Sequence, residues 1–320
     1  MTIDTIYRKI STFSPSPVEA VHWQLRHLVA TDPTTSYLYT VSGRSSRIIC
    51  FTNHDNHYEV FEAESRPTCL DVHHGVVVVG NERGNVQIYN EHMQSVNRLS
   101  LANSIINSVR LYVDNSHQMS LCVSTNDDDI ILVNVATLQT TRNMSFSCPP
   151  NYAEISSDGC VVSVFDDGTA RLLTPNTHES WDSIFSNREF ADAGFSSAWK
   201  PGNMAFGCCS QDGVGKLFDR RNFKCLFEFT SHPEHLPFRS MAFSSSGDML
   251  FTTEQNNNLH IIDSNYHHSI VNLNNEEDEI SISGAAFVKN SYIMVGTDSG
   301  IFSIALNVPY RLRSPDFCCL

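Results

Sequence analysis

The 320-residue chain lacks most of the short motifs by which a sequence declares its chemistry. It has no glycine-rich phosphate loop, no His-Glu-x-x-His pair and no Gly-x-Ser-x-Gly elbow, which removes the usual sequence signatures of nucleotide, zinc-peptidase and serine-hydrolase sites. Ser231 and His232 are adjacent, but a nucleophile and its base must meet side chain to side chain with a third group orienting the base, and sequence neighbours seldom do. No catalytic constellation emerges, and no cofactor or metal is implied. Basic residues are scarce as well: 21 Lys and Arg stand against 35 Asp and Glu, a net charge of −14. Phosphate backbones and anionic membranes both require clustered cations, so nucleic acid and lipid surfaces are poor partners. The opening MTIDTIYRKISTF has no signal-peptide apolar core, and no run is long enough to span a bilayer, so the expected location is the cytoplasm, the nucleus or both. Metal-type cysteine spacing is also missing. The ten cysteines include no Cys-x-x-Cys, and Cys50, Cys122, Cys160 and Cys208 sit inside apolar runs, as small buried hydrophobes do in a reducing compartment.

What is present is a repeat. The stretch from Phe195 to Ser245 states one unit in full: an apolar strand to Trp199, a Pro201-Gly202 turn, a strand from Met204 to Cys209, the turn Gln211-Asp212-Gly213, a strand ending at Phe218-Asp219, and a fourth from Cys225 to Phe229. Asp-Gly between apolar runs is a strong hairpin signal because glycine accepts the positive φ of a tight turn. Turns of the same kind recur at Ser45, Gly84, Asp129, Gly168, Gly213, Asn257 and Gly300, spaced 39 to 45 residues apart. Seven copies of a four-strand unit predict an all-β, single-domain, seven-bladed β-propeller. Amphipathic helical segments do not separate the strands, which argues against a TIM barrel.

In period and unit the chain resembles the WD40-repeat family, with Phe218-Asp219 and Ile262-Asp263 where the family usually has Trp-Asp; no segment carries the Gly-His pair that often opens a repeat. The expected blades cover about 21–63, 68–101, 105–146, 150–173, 192–230, 237–274 and 282–313, followed by an apolar tail at 314–320. An N-terminal strand over 3–10 is expected to close the ring; the other donor is Tyr310 to Leu312. A closer likeness lies in FDRRNFKCLFEFTSHPEHLPFRSMAFSSSGD, Phe218 to Asp248, which looks like a stretch shared by fungal WD40 proteins that include a substrate receptor of the GID ubiquitin ligase. That resemblance implies a face that captures a protein's N-terminal residues and another surface that docks on ligase scaffold subunits.

Several features compete for function. Ser14-Pro15-Ser16-Pro17 reads as an extended linker, with proline-directed phosphorylation as the weaker reading. Asp127-Asp128-Asp129 reads as a turn, because consecutive residues point apart where a cation needs converging ligands. His73-His74 and His267-His268 read as solvated turn imidazoles. After blade four comes THESWDSIFSNREFADA, in which Trp181, Ile184 and Phe185 predict a short helix, either a binding-rim loop or packing filler. Asp219-Arg220-Arg221-Asn222, with Lys224, is a cationic cluster on an acidic protein; it either holds an anionic partner group or pairs with a neighbouring blade's carboxylate. The Phe-Arg-Arg-Gly motif of phosphoinositide-binding propellers follows a fourth strand, where this chain has Phe229-Thr230-Ser231-His232, so lipid binding is disfavoured. The tip Phe317-Cys318-Cys319-Leu320 is apolar without a prenylation box, and either folds back or enters a partner's groove. Partner contacts are therefore sought at Trp181, Arg220, Arg221, Lys224, Phe317 and Leu320. The expected function is a non-enzymatic module that binds a protein or peptide, with the acidic run Glu276 to Glu279 favouring a basic partner segment. Two alternatives stand beside it: a propeller enzyme with His and carboxylates at a channel mouth, and a phosphoinositide-binding propeller.

Overall fold

Five of the seven aligned turn positions, Gly84, Gly168, Gly213, Asn257 and Gly300, take the expected positive φ, whereas Ser45 does not and the blade-one positive φ falls at Gly43. Gly213 has φ of 73° and Asn257 of 57°, and in blade three Asp128, one residue before the aligned Asp129, takes the same left-handed conformation at 69°. Glycine is also needed for space at Gly168, where a Cβ would stand 2.5 Å from the Phe190 carbonyl oxygen.

The computed structural model describes residues 6–307, apart from 21, 23, 24, 26, 44, 115, 176–180, 232–235 and 274–278. The strands form seven four-stranded antiparallel sheets, each a meander in chain order except the last. The first strands of the sheets, Val29–Thr31, Pro67–His73, Ile106–Val113, Pro150–Ile155, Gly194–Trp199, Phe238–Phe243 and Ile282–Val288, pack one against the next, and the seventh returns to the first. The architecture is thus a closed seven-bladed propeller with these strands around the axis. Burial drops at the outermost strand of each blade, which has at most one buried residue, whereas an inner strand such as Gly194–Trp199 is buried throughout. Apolar clusters fill the wedges between neighbouring sheets. Among the described residues no helix is long and apolar enough to cross a membrane.

Ring closure comes from the N-terminal strand. Among the described residues it runs Tyr7–Ser14, past the expected end at residue 10, pairing with Gly300–Leu306 from Tyr7↔Leu306 to Ser14↔Ile301, and positions 3–5 lie outside the described residues. Pro15 ends it, since proline has no N–H to donate. Ser14 is 6% exposed and its Oγ accepts the Ser16 N–H at 3.2 Å, so the linker is anchored and that hydroxyl is covered. The alternative donor at 310–312 lies outside the described residues.

A second correction concerns the expected helix after blade four. Trp181–Arg188 is the fourth strand of that blade, paired along Thr169–Pro175, so the blade extends well past 173. The register slips between Leu172↔Phe185 and Leu173↔Ser183, which leaves Ile184 as an extra, exposed residue. That bulge places apolar residues at a spacing that mimics a helical face. Phe185 turns inward, 5.3 Å from Phe223 and 5.6 Å from Phe218.

A bulge also opens the first strand of six blades, at Thr68, Asn107, Asn151, Phe195, Arg239 and Ser283. Three of these side chains donate to the first carbonyl of the next blade's inner strand: Thr68 Oγ1 to Ile106 O at 2.6 Å, Asn107 Nδ2 to Pro150 O at 3.1 Å, and Asn151 Nδ2 to Gly194 O at 2.9 Å. Ser283 Oγ donates to the Val18 carbonyl across the seam of the ring. Phe195 carries no donor, and the Arg239 guanidinium covers its ring at 4.4 Å instead. Arg239 also donates to Gln211 Oε1 at 3.1 Å and Gln255 Oε1 at 2.7 Å, one from each flanking turn.

Candidate functional site

Three residues beyond each bulge the inner strands carry Asp71, Arg110, Glu154, Ala198, Ala242 and Ala286. One side of the axis is therefore charged and the other is lined by methyl groups. A cavity of about 410 Å³ opens on the rim that bears the turns between first and second strands. A second, of about 140 Å³, lies deeper and shares Val29, Arg110, Ala242, Phe243, Ser245 and Ala285 with it. Alanine creates this space, since a larger side chain at the same positions would fill it.

The charged side is a cross-blade network. Arg110 Nη1 donates to Asp71 Oδ1 at 3.1 Å and Nη2 to Glu154 Oε1 at 3.2 Å. Asp71 Oδ2 also accepts the Leu111 N–H at 2.7 Å, and Glu154 Oε2 the Trp199 N–H at 2.9 Å, so blades two to five are tied at one level. Burial alone would lower the Arg110 pKa, but Asp71 and Glu154 outweigh it and hold the guanidinium firmly charged. Burial raises the Glu154 carboxyl above its ordinary range, although Arg110 and the Trp199 N–H oppose this.

His27 forms the floor. Its backbone bridges Cys69 in blade two, its carbonyl accepts the Leu70 N–H at 2.8 Å, and its ring lies 4.6 Å from that of Tyr152 in blade four. Burial, then the Arg110 charge, lowers its pKa to about 4, although a hydrogen bond to the Phe195 backbone opposes the shift. The imidazole is neutral at pH 7. At the mouth Asp32 receives the backbone N–H groups of Thr34 and Gly75, both at 2.7 Å, which outweigh burial and lower its pKa. Phe243, Phe287, Lys289 and His73 complete the rim.

Arg220 is drawn toward this site from outside. Its guanidinium lies 5.3 Å above Trp199, holds Asp158 of blade four at 2.6 Å and donates to Cys160 Sγ at 2.9 Å. Arg221 chelates Asp219 with contacts of 3.0 and 2.6 Å, which lowers that carboxyl to about 2. Both arginines thus hold carboxylates of the chain itself, and Lys224 is exposed beside them. Trp181 packs between blades three and four beneath Arg142, 5.6 Å from its ring. Phe317 and Leu320 lie outside the described residues, as does most of the acidic run; Glu279 accepts Asn256 Nδ2 at 3.0 Å.

The histidine pairs divide. His74 bonds Thr34 at 2.8 Å and His73 reaches the channel mouth. His268 is not a solvated turn residue: it bonds His260 at 2.7 Å, and His260 bonds Glu254 at 2.7 Å, a buried relay across blade six. Burial, then the neighbouring His260, lowers the His268 pKa to about 4. Asp127 caps Asn103 N at 2.6 Å, the turn role expected of it. Among the described residues no group of His, Cys, Asp and Glu is placed to hold a metal ion. Six described cysteines are buried, Cys148 is half-buried and Cys225 exposed, all as free thiols.

Turn-aligned repeats do not bring Asp71, Arg110 and Glu154 to notice as one network. Aligned on the inner strands, the run Asp, Arg, Glu, Ala, Ala, Ala is visible.

Comparison with known proteins places these features on a familiar scaffold. A chain in the crystal structure of a mitotic checkpoint complex matches at a TM-score of 0.77 with 12% identity, covering 96% of this chain and 94% of that one. The shared fold is that of a seven-bladed β-propeller. An uncharacterised protein of Saccharomyces cerevisiae is 25% identical over 232 residues, 59% of this chain and 32% of the yeast protein, so the alignment spans about a third of that relative's length. A family model described as an uncharacterised protein domain (DUF2415) matches residues 237–272, which are blade six.

Proposed function

We propose that the chain is a non-enzymatic interaction module whose partner segment enters the axial well, and, more specifically, that it serves as a substrate receptor or adaptor of a GID-type ubiquitin ligase in the cytoplasm or nucleus. The observation that carries the first part is the well itself: a ring of inner strands that could have been filled with larger side chains keeps about 410 Å³ open to one rim. Propellers host many functions, so the site and not the fold carries the reading. The finer part rests on the resemblance of Phe218 to Asp248, which runs into the stretch matched by the family model from residue 237. In this reading the apolar end of the chain, Phe317 to Leu320, docks on the ligase scaffold.

The phosphoinositide alternative asks Arg220 and Arg221 to meet phosphate, whereas each already holds a carboxylate at 2.6 Å. Affinity purification of the whole chain beside a version ending at Pro315, with mass spectrometry of both, separates the parts. Ligase scaffold subunits recovered with the whole chain and lost with the shorter one would support the receptor role. Identical recoveries with no ligase among them would remove it and leave an interaction module of another assembly. Recovery of no specific protein would count against both.

A further inference from the structure

The charge inside the well selects among ligands. Arg110 supplies one cation between two carboxylates, Asp71 and Glu154, so with both ionised this layer is negative by one charge. At the mouth Asp32 and Lys289 offset one another. An anionic ligand reaching for Arg110 would meet both carboxylates already on the guanidinium, a like-charge encounter. A cation would instead find carboxylate oxygens that each accept one bond and can accept another, since an ionised carboxylate offers about four acceptor positions.

Shape points the same way. The same cavities are lined by Ala198, Ala242 and, in the last blade, Ala285 and Ala286, which offer only methyl groups, and Phe243 and Phe287 flank the entrance. Such a passage suits a flexible aliphatic stem ending in a compact charge, with the stem against the alanines and the head in the polar layer. The surrounding protein, at a net charge of −14, draws cationic segments toward it.

We infer that the well receives a basic side chain, lysine or arginine, from an extended segment of a protein partner. Its aliphatic part lies along Ala198, Ala242 and Ala285, and its cation is received by Glu154 and Asp71 beside Arg110. This deepens the interaction-module reading and rests on it. The burial that disfavours the ionised form of Glu154 in the empty well is offset when a cation arrives, so binding and Glu154 ionisation reinforce each other.

Random heptapeptide libraries on beads test this, one with acetylated and one with free N-termini, both selected on the intact chain. The expected result is at least tenfold enrichment of Lys or Arg at one internal position in both libraries. That enrichment is lost in Ala242→Leu, which fills the passage from a half-buried position, and in Glu154→Gln. Thermal melts of both variants establish that they fold; Ala242→Leu carries the test if Glu154→Gln does not. Enrichment of acidic or purely apolar residues, enrichment confined to free N-termini, enrichment that survives Ala242→Leu, or none at all would each overturn the proposal. A chain that keeps its cellular partners in affinity purification but shows no such enrichment fails on the basic side chain alone.

Discussion

Blades two to four and blades five to seven face the same axis with different chemistry. In the first group bulge residues Thr68, Asn107 and Asn151 stitch each blade to the next, and Asp71, Arg110 and Glu154 form a charged layer above them. In the second group the bulge residues Phe195 and Arg239 replace two stitches by a ring under a guanidinium, and the layer above is Ala198, Ala242 and Ala286. The stitched side is specified by hydrogen bonds whose loss would leave buried partners unsatisfied. The alanine side gives up packing and gains space. One ring thus divides its inner wall into a fixed, hydrogen-bonded half and an open half lined by alanines.

The largest effect is expected where the fixed half is broken at its centre. Arg110→Ala leaves Asp71 and Glu154 buried without their shared cation, and should lower stability by about 3 kcal/mol, read by urea denaturation. An unchanged midpoint would mean that the network is ornamental to the fold.

Acidification comes next. His27 at the floor and His268 in blade six both have folded pKa values near 4, below the ordinary 6.5. The unfolded chain therefore binds more protons between those values, and stability is present above pH 6.5 and is lost as the pH falls toward 4. Each histidine should account for roughly 2–3 kcal/mol of that loss at the lower limit, since one pKa unit is about 1.4 kcal/mol. His27→Gln should flatten the pH dependence of the melting temperature over this interval; a slope equal to wild type would show that His27 titrates normally.

A single stitch is worth less. Asn151→Leu removes the donors to Gly194 O and to Asp166 Oδ1, at 2.9 and 2.7 Å, and should cost about 1–3 kcal/mol in the same denaturation assay. The smallest effect belongs to the open half. Ala242→Leu projects into free volume and should change stability by less than about 1 kcal/mol, while Leu at the fully packed Ala153, which is 0% exposed, should destabilise through overpacking by about 1–3 kcal/mol. Equal costs at the two alanines would erase the distinction between the halves.

The blade count was legible because turn chemistry and strand alternation are local, and each repeat restates them. Strand identity failed at Trp181–Arg188, where one bulged residue, Ile184, disguised a strand as a helical face. The closing strand is legible but its end is not, since the alternation up to Ile10 continues into Ser11–Ser14 and only Pro15 marks the end. The well was not legible. Its floor, His27, sits in a connection without periodicity, and its walls come from residues tens of positions apart whose meeting depends on ring closure. Arg220 drew notice for its charge, and it does reach the outer face of Trp199, yet its partners Asp158 and Cys160 belong to the preceding blade and are set by tertiary packing.

A partner is expected to enter the alanine side of the well and not the arginine turn of blade five. Replacing Phe243 at the mouth, and in a separate chain Lys224 beside Arg220 and Arg221, by a photo-crosslinking amino acid tests it in cells. Irradiation is expected to join a partner segment to position 243, with no corresponding product from 224. Crosslinks from 224 with none from 243 would contradict the account and return the binding site to the rim.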